Sequence, residues 1–167
     1  MPAGAARIEI RPATADDAGT LLELFGALAD YEQLRHELRA SEPQIVETLF
    51  GERPAAEALM AERGGRSVGY ALFFPTFSSF WATRGIWLED LFVLPEERGA
   101  GVGHGLLAAV AARVPDPEGR LEWAALDWNE LALGFYRGIG ARRMEEWTSL
   151  RLDGEALARL AAEHDDR

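Results

Sequence analysis

The chain has 167 residues, 48% of them hydrophobic, and a formal net charge of −11, which together predict one soluble domain with its own core. It contains no cysteine, which excludes disulfides, thiolate metal sites and a cysteine nucleophile and favours a cytoplasmic location. The charge argues against broad binding to nucleic acid or anionic membranes and would attract a small cationic substrate, although acidity that only aids solubility explains it equally well.

The first half of the chain predicts one strand, two helices and a hairpin. Residues 1–6 are expected to form a loose leader, without the basic and apolar regions of a secretion signal. Apolar residues at helical spacing predict a helix from Asp16 to about Leu34, and Thr14 begins a capping box in front of it. The other predicted elements are a strand over 8–11, a helix from Ser41 to Phe50, and a hairpin of strands 57–62 and 67–75.

The second half predicts alternating strands and helices. Residues 86–94 are nearly all apolar, as expected of a central strand covered on both faces. No apolar run approaches the roughly 20 residues of a membrane span. The elements predicted after this strand are a helix over 102–113, a strand over 121–126, a helix over 130–137 capped by Asn129, one or two closing strands over 143–152, a helix over 154–163 and a loose tail over 164–167. This order predicts an α+β fold with one central mixed sheet.

A glycine-rich turn joins the apolar strand to the following helix, and from Arg98 it reads RGAGVG. Glycine lets the backbone approach a ligand closely, and a helix start offers unpaired N–H groups to phosphate. The turn therefore predicts a pyrophosphate site, with a merely flexible turn as the alternative. The Rossmann and Walker patterns do not fit, because position 104 is histidine and no Gly-Lys-Ser/Thr follows.

Two acids, Glu89 and Asp90, interrupt the apolar strand. A buried acid costs several kcal/mol unless it is paired, and burial raises a carboxyl pKa towards the range that a general base needs. Because successive strand residues point to opposite faces, the two acids are not expected to share a pocket. We assign a function to Glu89 and a structural pairing with an arginine to Asp90.

The pattern of Arg98, Gly101 and Gly103, Arg-x-x-Gly-x-Gly, resembles the acetyl-CoA signature of the GNAT N-acetyltransferases. Four further segments resemble motifs of one branch, the diamine (spermidine/spermine) and thialysine N-acetyltransferases. They are IRPATADD at 10–17, LEDLFV at 88–93, DWNE at 127–130 and FY at 135–136. The resemblance spans nearly the whole chain and implies the GNAT fold, a central mixed, mostly antiparallel sheet flanked by helices.

The resemblance implies that acetyl-CoA is the cosubstrate and that its acetyl group passes directly, through a tetrahedral intermediate, to a primary amine of a diamine, polyamine or thialysine-like amino acid. Tyr136 would be the general acid, and Glu89 would be the base, acting directly or through water. Cofactor contacts are implied for Leu91, Phe92, Val93, Arg98, Gly99, Ala100, Gly101, Val102, Gly103, His104 and Asn129. Substrate contacts are implied for Tyr31, Glu32, Glu89, Glu122, Trp123 and Glu146.

The resemblance also implies a homodimer with the late strands as its interface. No metal is expected, because the three histidines lack metal-ligand spacing. Two other functions stay open: acetylation of another acceptor, such as an antibiotic amine or a protein N-terminus, and non-catalytic sensing of acyl-CoA. Residues 78–84 and 142–147 depart from the pattern of the branch, so the identity of the amine stays open as well.

Overall fold

The computed structural model describes residues 7–165. The predicted leader, residues 1–6, and residues 166 and 167 of the predicted tail lie outside this range. The chain divides into two compact units, Met1–Ala124 and Ala125–Arg167. The expectation of a single domain stays a prediction.

The first unit is built on a five-stranded mixed sheet whose strands lie in sequence order. The strands are β1 (Ile8–Pro12), β2 (Glu57–Arg63), β3 (Arg66–Ser78), β4 (Thr83–Val93) and β5 (Leu121–Glu122). All neighbours are antiparallel except β4 and β5, which are parallel. Its helices are α1 (Ala18–Tyr31), α2 (Glu42–Phe50) and α3 (Val102–Ala111). The predicted α+β class with a mostly antiparallel mixed sheet is confirmed.

Side-chain alternation along the strands separates two apolar layers. Met60, Tyr70 and Phe92 form one row across β2, β3 and β4, and their side chains join those of α1 and α2 in one buried cluster. The next row along these strands, which contains Val93, points to the opposite face. There α3 lies close, since a Cβ on Gly103 would be 3.6 Å from Val93 Cγ2. Strand β4 is therefore covered on both faces, as its apolar sequence predicts.

The second unit contains α4 (Glu130–Gly138) and α5 (Gly154–Asp165). Asn129 caps α4 as predicted, because its Oδ1 accepts a hydrogen bond from the N–H of Ala132 at 3.2 Å. Helix α5 includes His164 and Asp165, which the sequence places in the tail. Among the described residues, no helix is long and apolar enough to cross a membrane.

Three differences from the predicted elements have a clear structural reason or a large extent. Helix α1 ends at Tyr31 because Gln33 has φ +61°, outside the helical region. Strand β5 has two residues instead of the predicted six. Residues 143–152 form no strand within the described part of the chain, since no neighbouring strand pairs with them. A strand requires a hydrogen-bonded partner as well as a suitable sequence.

Asp17 connects the start of α1 to the edge of the sheet. It completes the predicted capping box by accepting a hydrogen bond from the Thr14 N–H at 2.8 Å. Both of its carboxylate oxygens also accept bonds of 2.8 Å from Arg11, which in turn contacts Glu62 on β2. The hydrogen bonds from Arg11 hold the pKa of Asp17 at about 2. The ionised carboxylate therefore stabilises the folded chain.

Asp17→Asn is expected to lower the free energy of unfolding by about 1–2 kcal/mol near pH 7, a figure that allows for solvent at Arg11. Because the folded pKa is below the unfolded value, this contribution is present above about pH 4 and is lost as the pH falls towards about 2. Urea unfolding across this pH range measures it. Asp16→Asn, at the exposed neighbouring position, is the matched control. An equal loss in both variants would contradict a specific role for the Arg11–Asp17 pair.

Candidate active site

A β-bulge in β4 determines where its two acids lie. Leu72 of β3 pairs with Asp90 and the next residue, Phe73, pairs with Leu88, so Glu89 is the extra residue without a partner. A bulge interrupts the alternation of side chains between the two faces of a strand. The strict alternation behind the expectation that Glu89 and Asp90 point to opposite sides therefore does not hold at this point of β4. The charge of Glu89 acts on Asp90 and helps to raise its pKa.

Asp90 is the partly buried acid of the pair, whereas Glu89 is exposed. Its Oδ2 accepts a hydrogen bond of 3.0 Å from the hydroxyl of Tyr70, a fully buried residue of β3. Burial raises the pKa of Asp90 to about 6; the bond from Tyr70 lowers it, and the charges of Glu89 and Glu32 raise it. Among the described residues, no arginine forms an ion pair with Asp90. The predicted arginine partner is wrong, and a tyrosine hydroxyl takes its place.

Glu89 is exposed, in contrast to the burial expected within an apolar strand. The bulge turns its side chain outward, where Oε2 accepts a hydrogen bond of 3.0 Å from the indole Nε1 of Trp87. The carboxylate is thus oriented by Trp87 and accessible to water. A group in this position can take a proton directly or through a water molecule. Its role as the base stays a prediction.

Further acids lie near this pair. Glu32, just beyond the end of α1, is partly buried, and the loss of solvent raises its pKa. Its charge, like that of Glu89, reaches both Tyr70 and Asp90. Glu122 of β5 pairs with Trp87 of β4 and therefore lies beside it on the same face. The structure thus brings the predicted substrate residues Glu32, Glu89 and Glu122 to one part of the sheet, together with Asp90.

The remaining predicted substrate residues are distributed over both units. Tyr31 is the last residue of α1, and the guanidinium of Arg98 lies over its ring, 4.6 Å from the centroid. Trp123 directly follows β5. Glu146 belongs to the second unit. Contacts of these residues with a substrate stay predictions.

The glycine-rich turn has a backbone that requires glycine at two positions. Gly99 and Gly101 have φ of +78° and +85°, in the left-handed region that favours glycine. Gly101 precedes α3, whose first N–H groups have no partner within the helix. Arg98 anchors the turn, because its Nε donates a hydrogen bond of 3.0 Å to the carbonyl of Val93. Ala100 and His104 are exposed, whereas Val102 is buried.

Gly101→Ala is expected to lower the free energy of unfolding by about 1–2 kcal/mol, because an L-residue with a side chain disfavours the left-handed region. A Cβ at Gly101 would meet no atom within 4 Å, so the cost comes from the backbone and not from a clash. Gly103→Ala is the matched control and should be neutral or slightly stabilising, since Gly103 is helical. Urea unfolding of both variants measures the difference. Equal stabilities would show that the turn does not require the left-handed conformation.

One edge of β4 is open beside this turn. Strand β5 pairs only with Ile86 and Trp87, so within the described residues no strand covers that edge from Leu88 to Val93. Backbone groups on such an edge can pair with an extended ligand as they would with a strand. Leu91, Phe92 and Val93, predicted to contact the cofactor arm, lie on this edge.

The two predicted residues of the late motifs lie in the second unit. Asn129 is buried and caps α4. Tyr136 is on α4, and its ring packs against that of Phe135 with centroids 5.3 Å apart. Their predicted roles, cofactor contact and general acid, stay predictions. No group of three or more potential metal ligands occurs among residues 7–165.

The chain is similar to known proteins over most of its length. Residues 23–141 match the model of the acetyltransferase (GNAT) family. The chain is 37% identical to a thialysine N-epsilon-acetyltransferase of Sus scrofa, over 93% of this chain and 98% of the relative. It is 30% identical to an L-ornithine N5-acetyltransferase of Arabidopsis thaliana, over 89% and 85%. An integron cassette protein from the mobile metagenome of V. cholerae has a similar structure, with a TM-score of 0.74 and 27% identity over 92% and 97% of the two chains.

Proposed function

The chain belongs to the GNAT family and is an N-acetyltransferase, and we propose that it transfers the acetyl group of acetyl-CoA to a primary amine of a small cationic substrate. A diamine, a polyamine or a thialysine-like amino acid is the proposed acceptor. The observation that carries this proposal is the group of acids Glu32, Glu89 and Asp90 near the open edge of β4, in which the charges of Glu32 and Glu89 both act on Asp90. Uncompensated carboxylates favour a positively charged ligand.

The residues around the open edge fit acetyl-CoA, which would supply an acetyl group activated as a thioester. Backbone N–H groups from Gly99 to His104 would bind its pyrophosphate, because the left-handed glycines and the start of α3 leave donors available. The edge from Leu91 to Val93 would pair with the pantetheine arm, and Asn129 would add a contact. Arg98 would keep the turn in place through its bond to Val93.

The acids would bind and deprotonate the amine. An ammonium group has no free electron pair, so it must lose a proton before its nitrogen can attack a thioester carbonyl. Glu89 would accept that proton directly or through water, which its exposed position permits. Glu32 and Glu122 would attract the remaining positive charge, with Tyr31, Trp123 and Glu146 as further contacts.

Tyr136 would act on the leaving group. As the new N–C bond forms and the C–S bond breaks, the sulfur leaves as a thiolate, and the phenolic hydroxyl of Tyr136 would donate a proton to it. The acetyl group passes directly to the amine through a tetrahedral intermediate, with no acetylated form of the chain. N–H groups of β4 near Leu91 would polarise the carbonyl.

The relatives support an amine acceptor. The names of the Sus scrofa and Arabidopsis thaliana relatives specify N-epsilon and N5 acetylation, which are reactions at side-chain amines. The proposed setting of the chain is a homodimer in the cytoplasm whose interface includes residues 143–152. The net charge of −11 supports the absence of nucleic-acid and membrane partners.

Release of free thiol from acetyl-CoA in the presence of candidate acceptors tests the proposed function. The panel contains putrescine, spermidine, thialysine, ornithine, an aminoglycoside and a peptide with a free N-terminus. Release with the diamines or the side-chain amines of the amino acids is expected. Release only with the aminoglycoside or the peptide would favour another acceptor. Tight binding of acetyl-CoA without release of thiol in the presence of any amine would favour non-catalytic sensing of acyl-CoA.

A further inference from the structure

Tyr70 has its one side-chain polar group inside an apolar cluster. Its ring lies between Phe25 of α1 and Phe92 of β4, with centroids 5.1 Å and 6.4 Å away, and the residue is fully buried. A buried hydroxyl without a partner would destabilise the folded chain. The Tyr70 hydroxyl has a partner, because it donates a hydrogen bond of 3.0 Å to Asp90 Oδ2. The rings on both sides therefore fix a hydrogen bond that is directed at an acid of the candidate site.

The surroundings of Asp90 are acidic. The titratable groups that face it are Tyr70 on β3, Glu89 on its own strand and Glu32 beyond the end of α1. The nearby guanidinium of Arg98 lies over the rings of Tyr31 and Phe92, and it hydrogen-bonds the carbonyl of Val93. Every other group that acts on Asp90 is thus an acid, and the Tyr70 hydroxyl favours the ionised form of its carboxylate.

We propose that Tyr70 is a positioning residue of the amine site: its hydroxyl holds the Asp90 carboxylate ionised beside Glu89, so that the site presents two negative charges to an acceptor with two ammonium groups. This inference rests on the proposed function, in which Glu89 contacts the amine that reacts. The second carboxylate adds selectivity for an acceptor that keeps a second positive charge. A monoamine of the same length gains less from it.

The hydrogen bond from Tyr70 opposes the effect of burial on Asp90. Burial and the charges of Glu89 and Glu32 raise the pKa of Asp90, the bond from Tyr70 lowers it, and the balance lies at about 6. Removing the hydroxyl leaves burial and the two charges unopposed. Asp90 then takes up a proton from solvent at a higher pH, and near neutrality the site loses one of its two negative charges.

The test compares Tyr70→Phe with the wild-type chain, using putrescine and n-pentylamine as acceptors of matched length. The ratio of their kcat/KM values isolates the effect of the second ammonium group. In the wild-type chain this ratio should fall as the pH drops through about 6. In Tyr70→Phe the fall should move to higher pH by about one pH unit, which lowers the ratio about threefold near pH 6.5 and restores it near pH 8.5. A ratio reduced equally at every pH would overturn the proposal.

Two further measurements keep the result decisive. The carboxyl ¹³C resonance of Asp90 should titrate at higher pH in Tyr70→Phe than in the wild-type chain, and an unchanged titration would overturn the proposal. In an Asp90→Asn background, the additional Tyr70→Phe change should alter the ratio by less than about twofold, because independent sites add and coupled sites do not. If Tyr70→Phe lowers the ratio in the Asp90→Asn background as much as it does in the wild-type chain, the proposal is also overturned.

The proposal can fail separately from the proposed function. If the wild-type chain acetylates no amine, the proposed function is rejected, and calorimetric binding of putrescine then decides the role of Tyr70. Weaker binding by Tyr70→Phe near pH 6.5, with recovery near pH 8.5, would support a charge held by Tyr70. Equal affinities of the two proteins at both pH values would overturn it.

Discussion

Glu89→Gln is expected to lower kcat/KM for a diamine about 100-fold near pH 7, the lower end of the range for loss of a general base. Glutamine keeps the size of the side chain and can still accept the bond from the Trp87 indole, but it cannot take a proton from the amine. Part of the activity should return near pH 10, where more of the amine is already unprotonated. The pH profile of kcat/KM in both proteins measures this effect.

Glu57→Gln is the matched control for this variant, since Glu57 is an exposed acid at the start of β2. It should leave the pH profile unchanged. If kcat/KM of Glu89→Gln is lower by the same factor at every pH, so that its pH dependence matches that of the wild-type chain, this would count against a proton-accepting role. In that case Asp90, the partly buried acid next to Glu89, would be the next candidate.

Tyr136→Phe is expected to lower kcat about 100-fold and to leave the affinity for acetyl-CoA nearly unchanged. The phenylalanine ring keeps the packing against Phe135 on α4, so the loss comes from the missing proton donor. Calorimetric titration with acetyl-CoA and steady-state kinetics separate the two quantities. Wild-type turnover in this variant would remove Tyr136 from the role of general acid.

The central features of the fold could be predicted from the sequence because they depend on local patterns. Apolar spacing predicts α1, and a nearly continuous apolar run predicts β4 with both faces covered. The glycines predict a turn between β4 and α3, and the structure has that turn, with left-handed backbone at Gly99 and Gly101. The resemblance to the GNAT family is confirmed by the family match and by relatives that cover most of the chain.

The arrangement of the acids could not be predicted, because it depends on how β4 pairs with β3. A bulge has no signal in the strand that contains it, since the extra residue is defined only by the register with Leu72 and Phe73. Simple alternation therefore separated Glu89 from Asp90 and gave no indication that Asp90 is partly buried while Glu89 is exposed. Tyr70 was missed for a related reason: within the apolar run GYALFF it is indistinguishable from a core aromatic.

The late part of the chain shows the other limit of sequence patterns. Residues 143–152 are predicted to form one or two strands, yet Trp147 and Leu150 are 75% and 89% exposed, and no strand forms there among the described residues. A strand requires a partner as well as a pattern. The proposed dimer interface includes this segment, so the oligomeric state of the chain in solution is a direct test of that proposal.

The most direct test of the central claim is the rate at which the wild-type chain forms N-acetylated product from acetyl-CoA, followed by mass spectrometry. Putrescine, thialysine and n-pentylamine are compared near pH 8. The acidic site predicts that putrescine or thialysine gains one acetyl group with a kcat/KM at least about tenfold above that of n-pentylamine, as expected for one additional charge interaction of roughly 1.4 kcal/mol. Equal rates with all three amines, or no acetylated product from any of them, would contradict the claim.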